Sequence, residues 1–412
     1  MISRRTFHKC LLTGGGAFVA RVWASGNLPP VGEQRSRPDC DLLLKGGTVI
    51  DPGQGLHAPM DVAIKDGKIS DLSSNCSDDR ARNVVSVRGK IVTPGFVDLH
   101  AHCFDGFGGV NADHYCLGRG VTTVVDCGSA GYPMIGGLMK YVVRGSSTRI
   151  VALVDIGELG TVFGTKDAMK DLDFVNPKLT AKAAEENKPT VVGIKVRLQK
   201  SIEGTNDLEC LRRALEAAAA TNLPLMAHIS DPYSPLPDIL KLMRKGDIFT
   251  HIYNDRPNGI LDANGRILPE VIEARHRGII FDPAHGRSHF SFQTAEKALQ
   301  QGFLPDTIST DLSLGNVDGP VYDLPTTVSK FLALGMNLDM AIERVTIAPA
   351  KVFDYRAQLG TLKPGTEANC AVFEVQEGSF QFVDSEQKTR IGRQRLVNKA
   401  VVCRGQLLIN QI

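Results

Sequence analysis

Six side chains in this sequence are of kinds that hold divalent cations, and they occur in a definite order: His100, His102, Lys195, His228, His251 and Asp311. His100 and His102 are two apart in Asp98-Leu99-His100-Ala101-His102, so an extended backbone turns both imidazoles to one face. Two neutral imidazoles on one face suit Zn2+ or a similar ion. An isolated H-x-H also fits ordinary packing; the Pro94-Gly95-Phe96-Val97-Asp98 run before it argues for the ligand reading. Lys195 stands in Gly193-Ile-Lys-Val-Arg197, where an unpaired ammonium would be costly to bury. Desolvation lowers the pKa of such an amine, and a neutral amine can add carbon dioxide to give a carbamate. That converts a cation into a bidentate anion able to bridge two metal ions. The alternative is a snorkelling lysine or half of a salt bridge. His228 and His251 each end an apolar run, Met226-Ala-His228 and Phe249-Thr-His251, and Asp311 ends Ile308-Ser-Thr-Asp311. A lone His can be a satisfied core residue and a lone Asp a helix N-cap, so the order of the set carries the argument.

These residues need a scaffold that gathers strand ends. Eight strand-like runs fall between Thr93 and Phe353: Val97–Leu99, Val121–Asp126, Ile150–Ile156, Thr190–Val196, Pro224–His228, Ile248–His251, Gly278–Asp282 and Thr307–Thr310. Helical stretches such as Leu208–Ala220 and Pro237–Arg244 separate them. Continuous Val/Ile runs are the mark of parallel strands covered on both faces, and eight β-then-α units make a TIM-like (β/α)8 barrel, with chemistry at the C-terminal strand ends. The six residues sit at those ends, on strands one, four, five, six and eight. Outside the barrel, Asp41-Leu-Leu-Leu-Lys-Gly-Gly-Thr-Val-Ile-Asp-Pro52 and Asp61-Val-Ala-Ile-Lys-Asp-Gly-Lys-Ile69 read as hairpin material, with turns at Lys-Gly-Gly and Lys-Asp-Gly. Ala371-Val-Phe-Glu-Val375 and Lys399-Ala-Val-Val-Cys-Arg-Gly-Gln-Leu-Leu408 echo them. The expected organisation is an α/β protein with a barrel over residues 94–353 and a small β-sandwich domain built from both chain ends, residues 39–93 plus 354–412.

This ligand order resembles the amidohydrolase superfamily, in its binuclear subtype with a carboxylated lysine. The resemblance implies two divalent metal ions, with Zn2+ expected. His100, His102 and Asp311 would hold one ion, His228 and His251 the other, and N6-carboxylated Lys195 and a hydroxide would bridge them. It also makes Asp311 the catalytic proton shuttle. Gly120-Val-Thr-Thr-Val-Val-Asp-Cys-Gly-Ser-Ala-Gly131, Gly193-Ile-Lys-Val-Arg197 and Phe281-Asp-Pro-Ala-His-Gly286 are similar to the deacetylase, dihydroorotase-like subgroup. The implied reaction is hydrolysis of an amide or ester, an acyl or acetyl bond, on a small carboxylate-bearing substrate. The alternatives are a cyclic amidase of dihydroorotase or hydantoinase type and a metal-free, non-catalytic homologue. Dihydroorotases of this subtype usually follow H-x-H with an Arg, whereas Cys103 follows His102 here. Cys127 occupies a position where D-aminoacylases place a metal-binding cysteine; with Lys195 present it reads as a wall residue. Ala284 stands where the subgroup's pattern has Gly.

Arg197, two beyond Lys195, is expected either to clamp a substrate carboxylate or to end the strand in a salt bridge. Tyr253 is a candidate for polarising a carbonyl, and His285 for touching substrate or orienting Asp311. Arg287 and His289 are neighbouring loop candidates, and His114 is placed at the entrance. The N-terminal Ser3-Arg4-Arg5-Thr6-Phe7-His8-Lys9, followed by an apolar stretch to Ala24, reads as a twin-arginine signal peptide over residues 1–24, then a linker over 25–38. The apolar stretch is interrupted by glycines and Arg21 and is too short for a stable membrane span. The expected partners are the twin-arginine export machinery and a small-molecule substrate, and the expected location is the periplasm; homo-oligomerisation stays open. Removing Arg4, Arg5, Lys9 and Arg21 from 47 basic residues leaves 43 against 45 acidic ones. That near-neutral balance, without a basic run interleaved with aromatics, excludes a nucleic-acid partner. The nine cysteines show no C-x-x-C pair and imply no required disulfide framework.

Overall fold

Seven of the expected apolar runs become parallel strands joined in sequence order into one sheet. In the computed structural model, residues 39–162, 166–353 and 359–412 are described; the expected signal peptide and linker lie outside them. Five strands precede the barrel: β1 (Cys40–Asp51), β2 (Leu56–Lys65), β3 (Lys68–Ser73), β4 (Ala81–Ser86) and β5 (Ile91–Pro94). The seven barrel strands are β6 (Phe96–Ala101), β7 (Val121–Gly131), β8 (Arg149–Asp155), β9 (Val191–Leu198), β10 (Leu225–Ile229), β11 (Ile248–Thr250) and β12 (Ile280–Asp282). Every residue of β6, β7, β9 and β10 is buried. That burial is why the runs carry no polar alternation. The two expected helices form as Asp207–Thr221 and Leu236–Leu242. The first stops where Asn222 takes the left-handed conformation at φ 52°.

The eighth run departs from expectation. Residues 307–310 are extended but enter no strand ladder. Two buried carboxylates stitch them instead: Asp282 accepts from the hydroxyls of Thr307 and Ser309, and Asp98 accepts from the Thr310 amide and hydroxyl. Backbone bonds complete the closure. His285 N and Gly286 N donate to Ser309 O and Thr310 O, while Asp311 N donates to His100 O at 2.6 Å and His102 N to Leu312 O at 2.8 Å. A Thr307-Ile-Ser-Thr310 run rich in hydroxyls favours such side-chain bonding over a regular ladder. The segment still bridges β12 and β6, so the barrel is closed.

The remaining strands, β13 (Cys370–Val383), β14 (Thr389–Cys403) and β15 (Gln406–Asn410), join β1 to β5 in one eight-stranded sheet, order β15-β14-β13-β5-β1-β2-β3 with β4 on β1. The chain ends meet where β13 runs antiparallel to β5, Ala371 opposite Thr93 and Val372 opposite Val92. Leu42, Leu44, Val62, Ile64, Val92, Val372 and Val402 form this sheet's own core. Asp66 and Gly67, at φ 50° and 76°, make the expected tight hairpin turn. Lys45-Gly46-Gly47 makes no turn: β1 runs straight through it with a bulge between Leu44 and Gly47, and Gly46 N is held by the Asp61 carboxylate. The β13–β14 hairpin reaches the barrel at its tip. There Ser385 N donates to Phe290 O, Phe290 N to Ser385 Oγ and Phe292 N to Asp384 Oδ2. The eight cysteines among the described residues are free and buried. Among the same residues no helix is long and apolar enough to cross a membrane.

Candidate metal centre

The strand ends deliver four imidazoles, and three of them have their outward nitrogen already fixed. His100, on β6, bonds through Nδ1 to Thr250 Oγ1 at 3.0 Å, and the Thr250 hydroxyl donates to Asp282 Oδ2 at 2.9 Å. His102 bonds through Nδ1 to Ser129 Oγ at 2.9 Å, and His251 through Nδ1 to Ala284 O at 2.8 Å. With Nδ1 occupied, Nε2 of each is the atom left for a ligand, as in sites where the second shell orients metal-binding histidines. His228 Nε2 and His251 Nε2 are buried without any hydrogen-bond partner. Asp311 Oδ1 lies 3.1 Å from His102 Nε2 and 3.5 Å from His100 Nε2. One ligand atom each from His100, His251 and Asp311 gathers within 4.8 Å. A cavity of about 370 Å³ opens on the group, with His100, His102, Lys195, Arg197, His228 and Asp311 in its wall.

Electrostatics favour a cation here. Burial, first of all, drives the pKa of His100, His228 and His251 well below the ordinary histidine value, so their lone pairs stay available. Burial acts to raise Asp311, but His100, His102, His289 and His251 outweigh it and hold the carboxyl well below its usual range. Lys195 is 1% exposed, and among the described residues its Nζ meets only His100 Nε2 and Met226 Sδ, each at 3.3 Å. Burial accordingly lowers its pKa. A carboxylated amine would replace that unfavourable ammonium with an anion facing the imidazoles.

The backbone is bent to serve this arrangement. His251 and Asp311 both sit in the left-handed region, at φ 74° and 53°, a conformation that costs non-glycine residues of order ~1–3 kcal/mol each. Gly128, at φ 80°, makes room for the lysine: a Cβ there would stand 2.8 Å from Lys195 Cγ and 2.9 Å from its Cβ. Gly128→Ala is therefore expected to destabilise the fold by about 1–3 kcal/mol through overpacking and positive-φ strain. Denaturant unfolding checks it; a midpoint equal to that of the unaltered protein would refute the close fit. Cys127 donates its thiol to Leu99 O at 3.2 Å within an apolar cluster, the place of a wall residue.

The substrate candidates separate. Arg197 is 3% exposed, pairs through Nε with Asp155 at 3.1 Å and through Nη2 with Gly160 O at 2.8 Å. Its Nη1 has no partner and the residue lines the cavity. Tyr253 does not reach the site. It is fully buried against Phe290 and Phe331, and its hydroxyl donates to Phe303 O at 2.9 Å. His285 also turns away, stacking on Phe290 at 4.5 Å with Nε2 2.7 Å from Lys330 Nζ. The cause is local: Ala284 and Gly286 take φ 33° and 57°, and that twist sends His285 into the core and brings His289 round. His289 lines the cavity with Nδ1 3.7 Å from Asp311 Oδ2. Gly286 was the available signal, since a Cβ there would sit 2.5 Å from Asp311 Oδ2 and 2.8 Å from His289 Nδ1. Gln199, two beyond Arg197 and lining the cavity, was readable from spacing alone. His114 packs on Tyr115 and is not part of this wall.

Comparison with known proteins agrees with this geometry. Residues 91–407 match the profile of the Amidohydrolase family. A deacetylase of Enterococcus faecalis is 34% identical over 377 residues, spanning 90% of this chain and 100% of its own. A crystal structure of an adenine deaminase superposes with a TM-score of 0.84 at 35% identity, over 90% of this chain and 100% of the other. A crystal structure of a dihydroorotase gives 0.82 at 27% identity, over 90% and 99%.

Proposed function

Because the chain belongs to the amidohydrolase family of metal-dependent hydrolases acting on C–N bonds, we propose that it is a binuclear deacylase for small carboxylate-bearing substrates. The observation that carries this reading is the pair of unpartnered, buried Nε2 atoms of His228 and His251 beside Lys195 and the His100, His102 and Asp311 group. The donor set of imidazoles, a carboxylate and a neutral amine open to carboxylation fits two borderline divalent cations such as Zn2+. When bound, such a pair lowers the pKa of a water and polarises the scissile carbonyl.

The chain's own residues would do the rest. His100, His102 and Asp311 would hold one cation and His228 and His251 the other, with a carboxylated Lys195 supplying an anionic ligand. Asp311, kept ionised by its histidine neighbours, accepts a proton at its carboxylate and returns it to the leaving nitrogen or oxygen. Arg197, fixed by Asp155 and Gly160, offers its free Nη1 to the substrate carboxylate. The dihydroorotase likeness keeps ring-opening of a cyclic amide as the second reading.

The discriminating experiment incubates purified, Zn2+-loaded protein with N-acetyl amino acids, O-acetyl hydroxy acids and cyclic imides. Acetate release from carboxylated substrates is expected, whereas turnover of cyclic amides alone would transfer the assignment to the second reading. Arg197→Lys keeps a charge opposite Asp155 but removes the planar fork. It is expected to raise KM about tenfold for carboxylated substrates and to leave uncharged analogues unaffected; an equal KM for both classes would exclude the clamp. We further propose, from Arg4-Arg5 and the residues around them, that the protein is exported to the periplasm. A reporter fused after residue 38 and retained in the cytoplasm would refute this.

A further inference from the structure

One imidazole of the cavity wall, His289, is not used by the proposed ligand set. His228, His251 and His289 come from β10, the end of β11 and the loop after β12, and their rings form a tight triangle. Centroids are 4.2 Å apart for His228 and His251, 4.2 Å for His251 and His289, and 4.8 Å for His228 and His289. Each presents a buried nitrogen with no hydrogen-bond partner: His228 Nε2, His251 Nε2 and His289 Nδ1. Buried polar atoms are nearly always paired, so three orphaned imidazole nitrogens in one triangle ask for a shared partner that accepts lone pairs. A divalent cation is such a partner, and three histidines are a known donor set for zinc.

His289 is held for this purpose from both sides. Phe290, its neighbour, is tied to Ser385 through Ser385 N and Oγ, and Ser385 Oγ also donates to Gly286 O at 3.1 Å. Ser288 Oγ stands 3.4 Å from His289 Nε2, leaving Nδ1 as the inward nitrogen. The compact group within 4.8 Å is His100, His251 and Asp311, and His289 Nδ1 faces Asp311 Oδ2 at 3.7 Å, so ligation by His289 would require its ring to turn from that carboxylate.

We propose that His289 Nδ1 is a ligand of the cation held by His228 and His251, giving that position three imidazoles. This rests on the binuclear reading above. A position so rich in imidazole selects a borderline transition-metal dication over Mg2+ or Ca2+, which prefer oxygen.

The test is metal binding, read without activity. Wild-type protein and the His289→Ala and His289→Asn variants are titrated with Co2+ under chelator competition, with visible spectra recorded. The expected result is two equivalents for the wild type, and one of the two weakened at least about tenfold in the variants with a changed cobalt d–d band. X-ray absorption of the wild-type dicobalt protein supplies a readout free of any mutation. It is expected to count the imidazoles of His100, His102, His228, His251 and His289, rather than those of the first four alone. Two equivalents with unchanged affinity and spectrum in both variants, or only four imidazoles, would overturn the assignment. Fewer than two equivalents in the wild type would overturn the binuclear reading itself, and the His289 assignment with it.

Discussion

Lys195→Ala is expected to lose most of its bound metal, to fall at least about 100-fold in turnover, and to regain part of both when short carboxylic acids are added. Lys195 sits at the cavity wall, where its Nζ meets an imidazole nitrogen and a thioether sulfur and, among the described residues, no carboxylate. Burial lowers its pKa. Carboxylation would place two oxygens between the His100–His102 and His228–His251 pairs. Alanine removes them and leaves a space that formate, acetate or propionate can enter. In the proposed binuclear centre, losing the bridging anion would touch both cations at once, so the two are expected to dissociate together. The size of the fall follows from the several kcal/mol that bound cations contribute to polarising the carbonyl. Metal analysis after gel filtration, followed by a carboxylate titration of rate, decides it. Normal metal content and rate in the variant would end the bridging assignment.

Asp311→Asn is expected to behave in the opposite way, keeping much of its metal while kcat falls about 10²–10⁴-fold. The amide oxygen can occupy the place of Asp311 Oδ1, 3.1 Å from His102 Nε2, but an amide neither accepts nor returns a proton near neutral pH. The backbone should tolerate the change. Asn is among the residues best suited to the left-handed conformation that Asp311 adopts at φ 53°. A strained main chain clamped by the bond from Asp311 N to His100 O thus stays in place, and the loss is chemical rather than structural. Metal content close to wild type together with an active Asn variant would remove Asp311 as the proton shuttle.

The gathering of His100, His102, Lys195, His228 and Asp311 around one cavity and the seven barrel strands were legible because both write periodic or positional signals into the chain. A His at i and i+2 must share a strand face, and an apolar run ending in a metal-binding side chain is rare enough to stand out. Cys127 and Lys195 were also readable, since each is a reactive group in an apolar run. Loop-borne side chains were harder. Tyr253 and His285 stand close in sequence to a strand end, yet beyond the strand that nearness no longer fixes direction. Two residues past β12 the chain enters positive φ at Ala284, and again at Gly286, and the alternation that orients strand side chains ends there. His289 gained the cavity and His285 lost it for that reason. The eighth strand failed differently. Its extended run is real, but Asp98 and Asp282, remote in sequence, hold it with carboxylates, and no local pattern announces such a bond.

The β13–β14 hairpin lends its tip, Asp384 and Ser385, to the loop that carries His289. A residue near the end of the chain thereby acts as a strut for the cavity floor roughly one hundred positions upstream. Clipping or melting the terminal sheet would leave a barrel of normal outline with one slack wall. The two sheets are in that sense a single inheritance: a barrel grafted onto a foreign frame would bring its histidines along and leave behind the brace that aims one of them.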